Sequence, residues 1–100
     1  VHSLEQARVA EQDGADFLVF GPIYDTPSKR SYGPPQGIEA LTRAVNGVSV
    51  PVFAIGGITP ERVAEIKRSG AHGVAVISAI LAAERPAEAA KAFLEALGRA

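Results

Sequence analysis

Short apolar runs alternate with amphipathic stretches along the chain. The runs occupy residues 17–23, 50–55 and 74–77, and each is continuous rather than alternating in polarity. Continuous runs of this length are typical of strands buried on both faces of a parallel sheet. The pattern therefore predicts three such strands.

The amphipathic stretches carry apolar residues at helical spacing. Ser3 with Gln6 three residues later is the signature of a helix start, and Thr59 followed by Pro60 is another. The alternating order of helices and strands predicts an α/β fold with right-handed crossovers, either an open wound sheet or part of a (β/α)8 barrel. Helices are predicted from residue 3 to about 14, from 38 to 45, from 59 to 70 and from about 86 to 97.

Length decides how much of a barrel this chain can form. A complete TIM barrel takes about 250 residues, whereas the chain has 100. We expect residues 1–100 to form one partial TIM-barrel domain, the C-terminal half with about strands six to eight. Because the chain opens at Val1 rather than Met, we also expect its natural start to lie elsewhere.

Composition excludes several classes of function. The net charge is −1, which argues against nucleic-acid binding and membrane-surface binding. The absence of cysteine excludes disulfides and thiolate sites, and no apolar run approaches the length of a membrane span. We expect a cytoplasmic protein that binds neither nucleic acid nor membrane.

The stretch 21–37 is long for a strand-to-helix connection, and long loops are often functional. It combines the hydroxyls of Thr26 and Ser28 with the cation of Lys29, which suit a phosphate or pyrophosphate. A solvated surface loop stiffened by prolines is the alternative.

The ends of the other two strands suggest an anion site. Gly56 and Gly57 precede a capped helix, and Ile77 and Ser78 lead into a short helical turn. Ligands of α/β barrels bind beyond the carboxyl ends of the strands, often with a phosphate after strands seven and eight. Backbone N–H groups of Gly57, Ile77 and Ser78 are predicted to meet one anion. The alternatives are a tight turn at the glycines and an ordinary N-cap at Ser78.

The two histidines give a weaker signal. They lack carboxylates at metal-ligand spacing, so we predict no metal site in this chain. His72 precedes a strand and so lies at the amino-terminal end of the barrel strands, where residues serve stability. It is therefore predicted to be structural. His2 follows a potential strand end. It either borders the candidate site or lies outside it, and the sequence favours neither.

Four motifs together resemble the thiamine phosphate synthase and thiazole tautomerase family, over almost the whole chain and closer to the synthase. They are Gly21-Pro22-Ile23-Tyr24, Thr26-x-Ser28-Lys29, Val52-x-Ala54-Ile55-Gly56-Gly57-Ile58-Thr59 and Gly70-Ala71-x-Gly73-Val74-Ala75-Val76-Ile77-Ser78-Ala79-Ile80. The resemblance implies a TIM-barrel transferase of thiamine biosynthesis. Such an enzyme joins hydroxymethylpyrimidine pyrophosphate to thiazole phosphate and releases pyrophosphate.

The resemblance also implies roles for individual residues. Lys29 would be catalytic and would reach the pyrimidine pyrophosphate. Mg²⁺ would be the cofactor, with its carboxylates in the first half of the barrel. The thiazole phosphate would be bound by Thr26, Pro27, Ser28, Gly57, Ile77 and Ser78.

Two alternatives remain. The tautomerase carries a catalytic histidine where this chain has Pro22, which cannot transfer a proton, so the position favours the synthase. The other alternative is a non-catalytic half-barrel that binds a phosphorylated ligand. We expect the 100-residue chain alone to be inactive, with a second copy or a complementing half-barrel as partner.

Overall fold

The computed structural model describes residues 1–25, 34–76, 78–81 and 83–99. The strands are β1 (Leu18–Phe20), β2 (Val52–Ile55) and β3 (Gly73–Ala75). The helices are α1 (Leu4–Gln12), α2 (Gly37–Gly47), a 3-10 turn (Pro60–Arg62) that leads into α3 (Val63–Arg68), α4 (Ser78–Leu81) and α5 (Pro86–Arg99). Each predicted helix and strand is present, although the strands are shorter than the apolar runs. Within the described ranges, no helix is both long and apolar enough to cross a membrane.

The three strands form one parallel sheet in the order β1-β2-β3. Phe20 lies opposite Ala54, and Ala54 lies opposite Val74. A helix connects each strand to the next, as the α/β prediction requires. All three strands consequently end at the same edge of the sheet.

The first residue of the chain extends this sheet beyond β1. The Val1 amino group donates to the Val19 carbonyl at 2.7 Å, and the Gly21 N–H donates to the Val1 carbonyl at 3.1 Å. Val1 thus lies beside β1 as a residue of a fourth strand would.

The hydrophobic core lies between the sheet and its helices. Phe20 of β1 is fully buried there, together with Leu41 of α2 and Ile66 of α3. Phe93 of α5 is 4% exposed and belongs to the same cluster. The helices therefore cover one face of the sheet.

The opposite face of the sheet is only half-buried, so the prediction of strands buried on both faces was wrong. Burial alternates along β2, with Val52 and Ala54 buried and Phe53 and Ile55 half-exposed. The physical reason is that the buried residues of α1, α2, α3 and α5 pack against the other face of the sheet. Phe17, which contacts Phe53 edge-on at 5.9 Å, is 57% exposed.

The two predicted helix starts have different geometries. The Ser3 hydroxyl accepts from the Gln6 N–H at 3.1 Å, and the Gln6 side chain accepts from the His2 N–H at 2.7 Å, which is close to a capping box. Thr59 has the extended backbone of an N-cap, but its hydroxyl makes no capping hydrogen bond. The first turn after it is a 3-10 turn rather than α-helix.

Candidate functional site

The loop that follows β1 lies directly on the turn that follows β2. The Ile23 N–H donates to the Ile55 carbonyl at 2.9 Å, and the Tyr24 N–H donates to the Gly56 carbonyl at 3.1 Å. These bonds continue the β1–β2 pairing beyond both strands. Two of the three strand ends expected to carry chemistry are therefore in contact.

The double glycine is required by this contact. Gly56 has φ +104° and Gly57 has φ +67°, in the region that favours glycine. A Cβ on Gly56 would lie 2.6 Å from Pro22 Cα, and one on Gly57 would lie 2.8 Å from Tyr24 Cβ. The glycines thus form the tight turn that was weighed as the alternative to an anion site, and the preceding loop packs against it.

Arg62 also holds this turn. Its Nη1 atom donates to the Gly57 carbonyl at 2.5 Å, and its guanidinium carbon lies 4.2 Å from the centroid of the Tyr24 ring. The Tyr24 hydroxyl donates to the Glu65 carboxylate at 2.8 Å. Tyr24, Gly57, Arg62 and Glu65 thus form one connected cluster, here called the Arg62 cluster.

The environment of Tyr24 changes its acidity. Partial burial, the hydrogen bond to Glu65 and the negative charge of that carboxylate raise the pKa of Tyr24 from 10.0 to about 12, although Arg62 opposes the shift. Each of the first three disfavours the phenolate. The phenol is therefore a stable hydrogen-bond donor throughout the neutral range.

Sequence reasoning missed the Arg62 cluster. Neither Arg62 nor Glu65 was among the candidate residues. A usable signal was nevertheless present: Arg62 and Glu65 are three residues apart at the start of a helix, immediately after the glycine turn. That spacing places both side chains on one helix face.

A largely apolar cavity of about 260 Å³ opens at the same edge of the sheet. His2 borders it, and its Nδ1 lies 2.5 Å from the Gly21 carbonyl. Because a carbonyl only accepts, Nδ1 carries the proton, so in the neutral ring Nε2 is an acceptor. The cavity is lined by Val1, His2, Val19, Gly21, Pro22, Ile55 and Gly56.

His72 lies at the other end of the sheet. Its N–H donates to the Val52 carbonyl at 2.8 Å, and its ring packs on Phe53 with centroids 5.2 Å apart. These contacts agree with the structural role predicted for it. Among the described residues, no three of His, Cys, Asp and Glu lie close enough together to hold a metal ion.

The remaining predicted site residues are described only in part. Gly57 lies in the turn after β2, and Ser78 is the first residue of α4, three positions after the end of β3. The predictions for Thr26, Pro27, Ser28, Lys29 and Ile77 fall outside the described residues.

Comparison with known proteins identifies the family. A family model described as thiamine monophosphate synthase matches residues 1–80. A putative thiamine-phosphate synthase of Geobacter sulfurreducens is 47% identical over 96 residues, 96% of this chain and 45% of that protein. A thiamine-phosphate synthase of Caldivirga maquilingensis is 48% identical over 94 residues, 94% of this chain and 45% of that protein.

A solved structure of similar fold supports the same family assignment. A thiamine phosphate pyrophosphorylase from Pyrococcus furiosus superposes with a TM-score of 0.88 at 36% identity, covering 99% of this chain and 46% of that one. The chain thus spans less than half the length of these relatives. With the parallel sheet, this likeness confirms the predicted fold class, a parallel α/β portion of a TIM barrel. The chain belongs to the thiamine monophosphate synthase family.

Proposed function

We propose that the polypeptide carrying this chain is a thiamine-phosphate synthase, which joins hydroxymethylpyrimidine pyrophosphate to thiazole phosphate. The observation that carries the proposal is the match of nearly the whole chain to proteins of that name at 47% and 48% identity. Because the chain spans less than half of those proteins, we assign the activity to the longer polypeptide. These 100 residues alone are expected to be inactive.

The arrangement of the strand ends supports a site for the thiazole phosphate. Gly57 and the start of α4 at Ser78 follow neighbouring parallel strands, so they lie at one edge of the sheet. Backbone N–H groups of Gly57, Ile77 and Ser78 would bind the phosphate there, with Thr26, Pro27 and Ser28 contributing from the loop after β1. The packing of Tyr24 on Gly56 brings the beginning of that loop to the same edge.

Lys29 would act on the other substrate. The bond between the pyrimidine methylene carbon and the pyrophosphate oxygen breaks, and the thiazole nitrogen forms a bond to that carbon. Negative charge develops on the departing pyrophosphate, which an ammonium group stabilises. The thiazole nitrogen attacks with a lone pair, so no general base is needed for this step.

Mg²⁺ is the cofactor expected from the resemblance. The described residues hold no cluster of carboxylates that fits it, so we place its ligands in the part of the relatives that this chain does not cover. We further propose a cytoplasmic enzyme with small phosphorylated substrates. A second copy of the chain or a complementing half-barrel would cover the open face of the sheet.

Product formation tests the proposal. The longest natural polypeptide that contains these residues would be incubated with both substrates and Mg²⁺, and thiamine phosphate would be measured. We expect Lys29→Ala to lower kcat by about 10²–10³-fold, as loss of one electrostatic donor typically does. Lys91→Ala, which removes an exposed lysine of α5, is the matched control and should leave kcat unchanged.

Three results would contradict the proposal in different ways. No thiamine phosphate from a folded, full-length protein would exclude the synthase. Thiazole isomerisation in the same mixture would indicate the tautomerase instead. Full activity of Lys29→Ala would leave the synthase standing but remove Lys29 from its mechanism.

A further inference from the structure

Two consecutive carbonyl groups of the glycine turn are each held by another part of the chain. The Gly56 carbonyl accepts from the Tyr24 N–H, and the Gly57 carbonyl accepts from Arg62 Nη1. In a trans peptide unit the C=O and the following N–H point in opposite directions. The Gly57 N–H therefore points away from the Tyr24 N–H, and the Ile58 N–H points away from Arg62.

Arg62 is itself restrained at this position. Its guanidinium stacks over the Tyr24 ring, and the hydroxyl of that ring is bonded to Glu65, one turn further along the helix. A cation–π contact of this kind contributes about 0.5–1 kcal/mol at an exposed site. The ring fixes the plane of the guanidinium, and Glu65 fixes the ring. The Gly57 carbonyl is thus bonded to a donor with little freedom to move.

We propose that Arg62, supported by Tyr24 and Glu65, is a positioning residue that orients the Ile58 N–H group toward the phosphate of the thiazole substrate, beside the Gly57 N–H group that the Tyr24 backbone holds in place. The inference rests on the proposed function, because that function supplies the phosphate. It extends the site to side chains that do not touch the substrate. Arg62 acts through the peptide units of the turn and not as a phosphate ligand.

The geometry separates this role from a purely structural one. Arg62 is half-buried and bonds to the turn rather than to the core. The fully buried residues of α3 are Val63 and Ile66, so replacing Arg62 removes no core side chain. Without Arg62 the Gly57–Ile58 peptide unit would be free to rotate, and its N–H group would have to be reoriented each time an anion binds.

Inorganic phosphate provides a test that does not depend on catalysis. The longest natural polypeptide that contains these residues would be labelled with ¹⁵N and titrated with phosphate while the Gly57 and Ile58 amide signals are followed. We expect saturable shifts in the wild type and an about tenfold weaker affinity in Arg62→Ala, equivalent to about 1.4 kcal/mol. Arg62→Lys keeps a donor and the charge but lacks the planar fork, so it should fall between the two.

Two further variants control the experiment. Arg68→Ala removes the same charge from the exposed end of the same helix and should bind phosphate as the wild type does. Tyr24→Phe keeps the ring but removes the bond to Glu65, and should weaken binding less than Arg62→Ala. If Arg62→Ala fails to fold, Arg62→Lys and Tyr24→Phe decide the matter, and wild-type affinity in both would overturn the inference.

The outcomes separate this inference from the proposed function. Unchanged affinity in Arg62→Ala, or an equal loss in Arg68→Ala, overturns the positioning role whether or not thiamine phosphate is made. A folded wild-type polypeptide whose Gly57 and Ile58 signals do not change with phosphate also overturns it. Arg62-dependent phosphate binding without product formation supports the positioning role and rejects the synthase.

Discussion

Replacing Gly57 with alanine tests how strictly the glycine turn is determined by its neighbours. The new methyl group would lie 2.8 Å from Tyr24 Cβ and 3.1 Å from the Tyr24 carbonyl. The alanine would also have to adopt φ +67°. Gly57→Ala therefore combines backbone strain with a steric clash, and the two effects can be separated.

Gly14→Ala is the matched control for the strain. Gly14 has φ +96°, and a Cβ there meets nothing within 4 Å. A left-handed backbone costs an L-residue about 1–2 kcal/mol, and overpacking adds typically about 1–3 kcal/mol. Gly14→Ala should therefore lose about 1–2 kcal/mol of unfolding free energy and Gly57→Ala about 2–5 kcal/mol. Each substitution also reduces the conformational entropy of the unfolded chain by the same amount, so this effect cancels when the two variants are compared.

Urea unfolding measures this difference. With a denaturant dependence of about 2 kcal/mol/M, the extra loss in Gly57→Ala corresponds to a midpoint about 0.5–1.5 M lower than that of Gly14→Ala. Equal midpoints for the two variants would refute the reasoning, because they would show that the loop carrying Tyr24 does not press on the turn. A stabilised Gly57→Ala would refute the assignment of strain as well.

Two further predictions concern the core and Tyr24. Ile66→Ala, at a fully buried position of α3, should lower the free energy of unfolding by about 2–5 kcal/mol in the same urea assay. Leu94→Ala, at a 69% exposed position, is the control and should change it by no more than about 0.5 kcal/mol. Similar losses in the two variants would contradict the described core. The raised pKa of Tyr24 means that the folded state holds the phenolic proton more tightly than the unfolded state, so its stabilising contribution is complete below pH 10 and is lost as the pH rises through about 12. Absorbance titration of the wild type minus Tyr24→Phe should give a midpoint near 12, and Glu65→Gln should lower it; an unchanged midpoint would exclude Glu65 as a cause.

Most of the fold could be predicted because its signals are local. Ser3 with Gln6 marks a helix start by hydrogen bonds within one turn, and the apolar runs overlap all three strands. The exposed faces of Phe53 and Ile55 could not be predicted, because a continuous apolar run has the same pattern whether its second face is covered or open. Burial depends on what lies across the sheet, which the run itself does not encode.

The site was less predictable than the fold. The tight turn weighed as the alternative at Gly56 and Gly57 is present, but their spacing does not reveal which residues contact it. The partners, Pro22 and Tyr24, lie more than thirty positions earlier in the sequence and come into contact through the parallel pairing of β1 with β2. Long-range contacts of this kind follow from strand register, and the register is fixed by the whole sheet.

The glycine turn shows why a motif and its function have to be argued separately. Both glycines are already accounted for by positive φ and by the contact with the preceding loop, so they would be required even without a ligand. Arg62 is different, because its side chain holds the Gly57 carbonyl and, in the role proposed for it, orients the N–H group of the same peptide unit. A turn that served only to connect β2 with the following helix would not need that orientation. A dependence of phosphate binding on Arg62, rather than on the glycines, is therefore the result that would distinguish a binding turn from a connecting one.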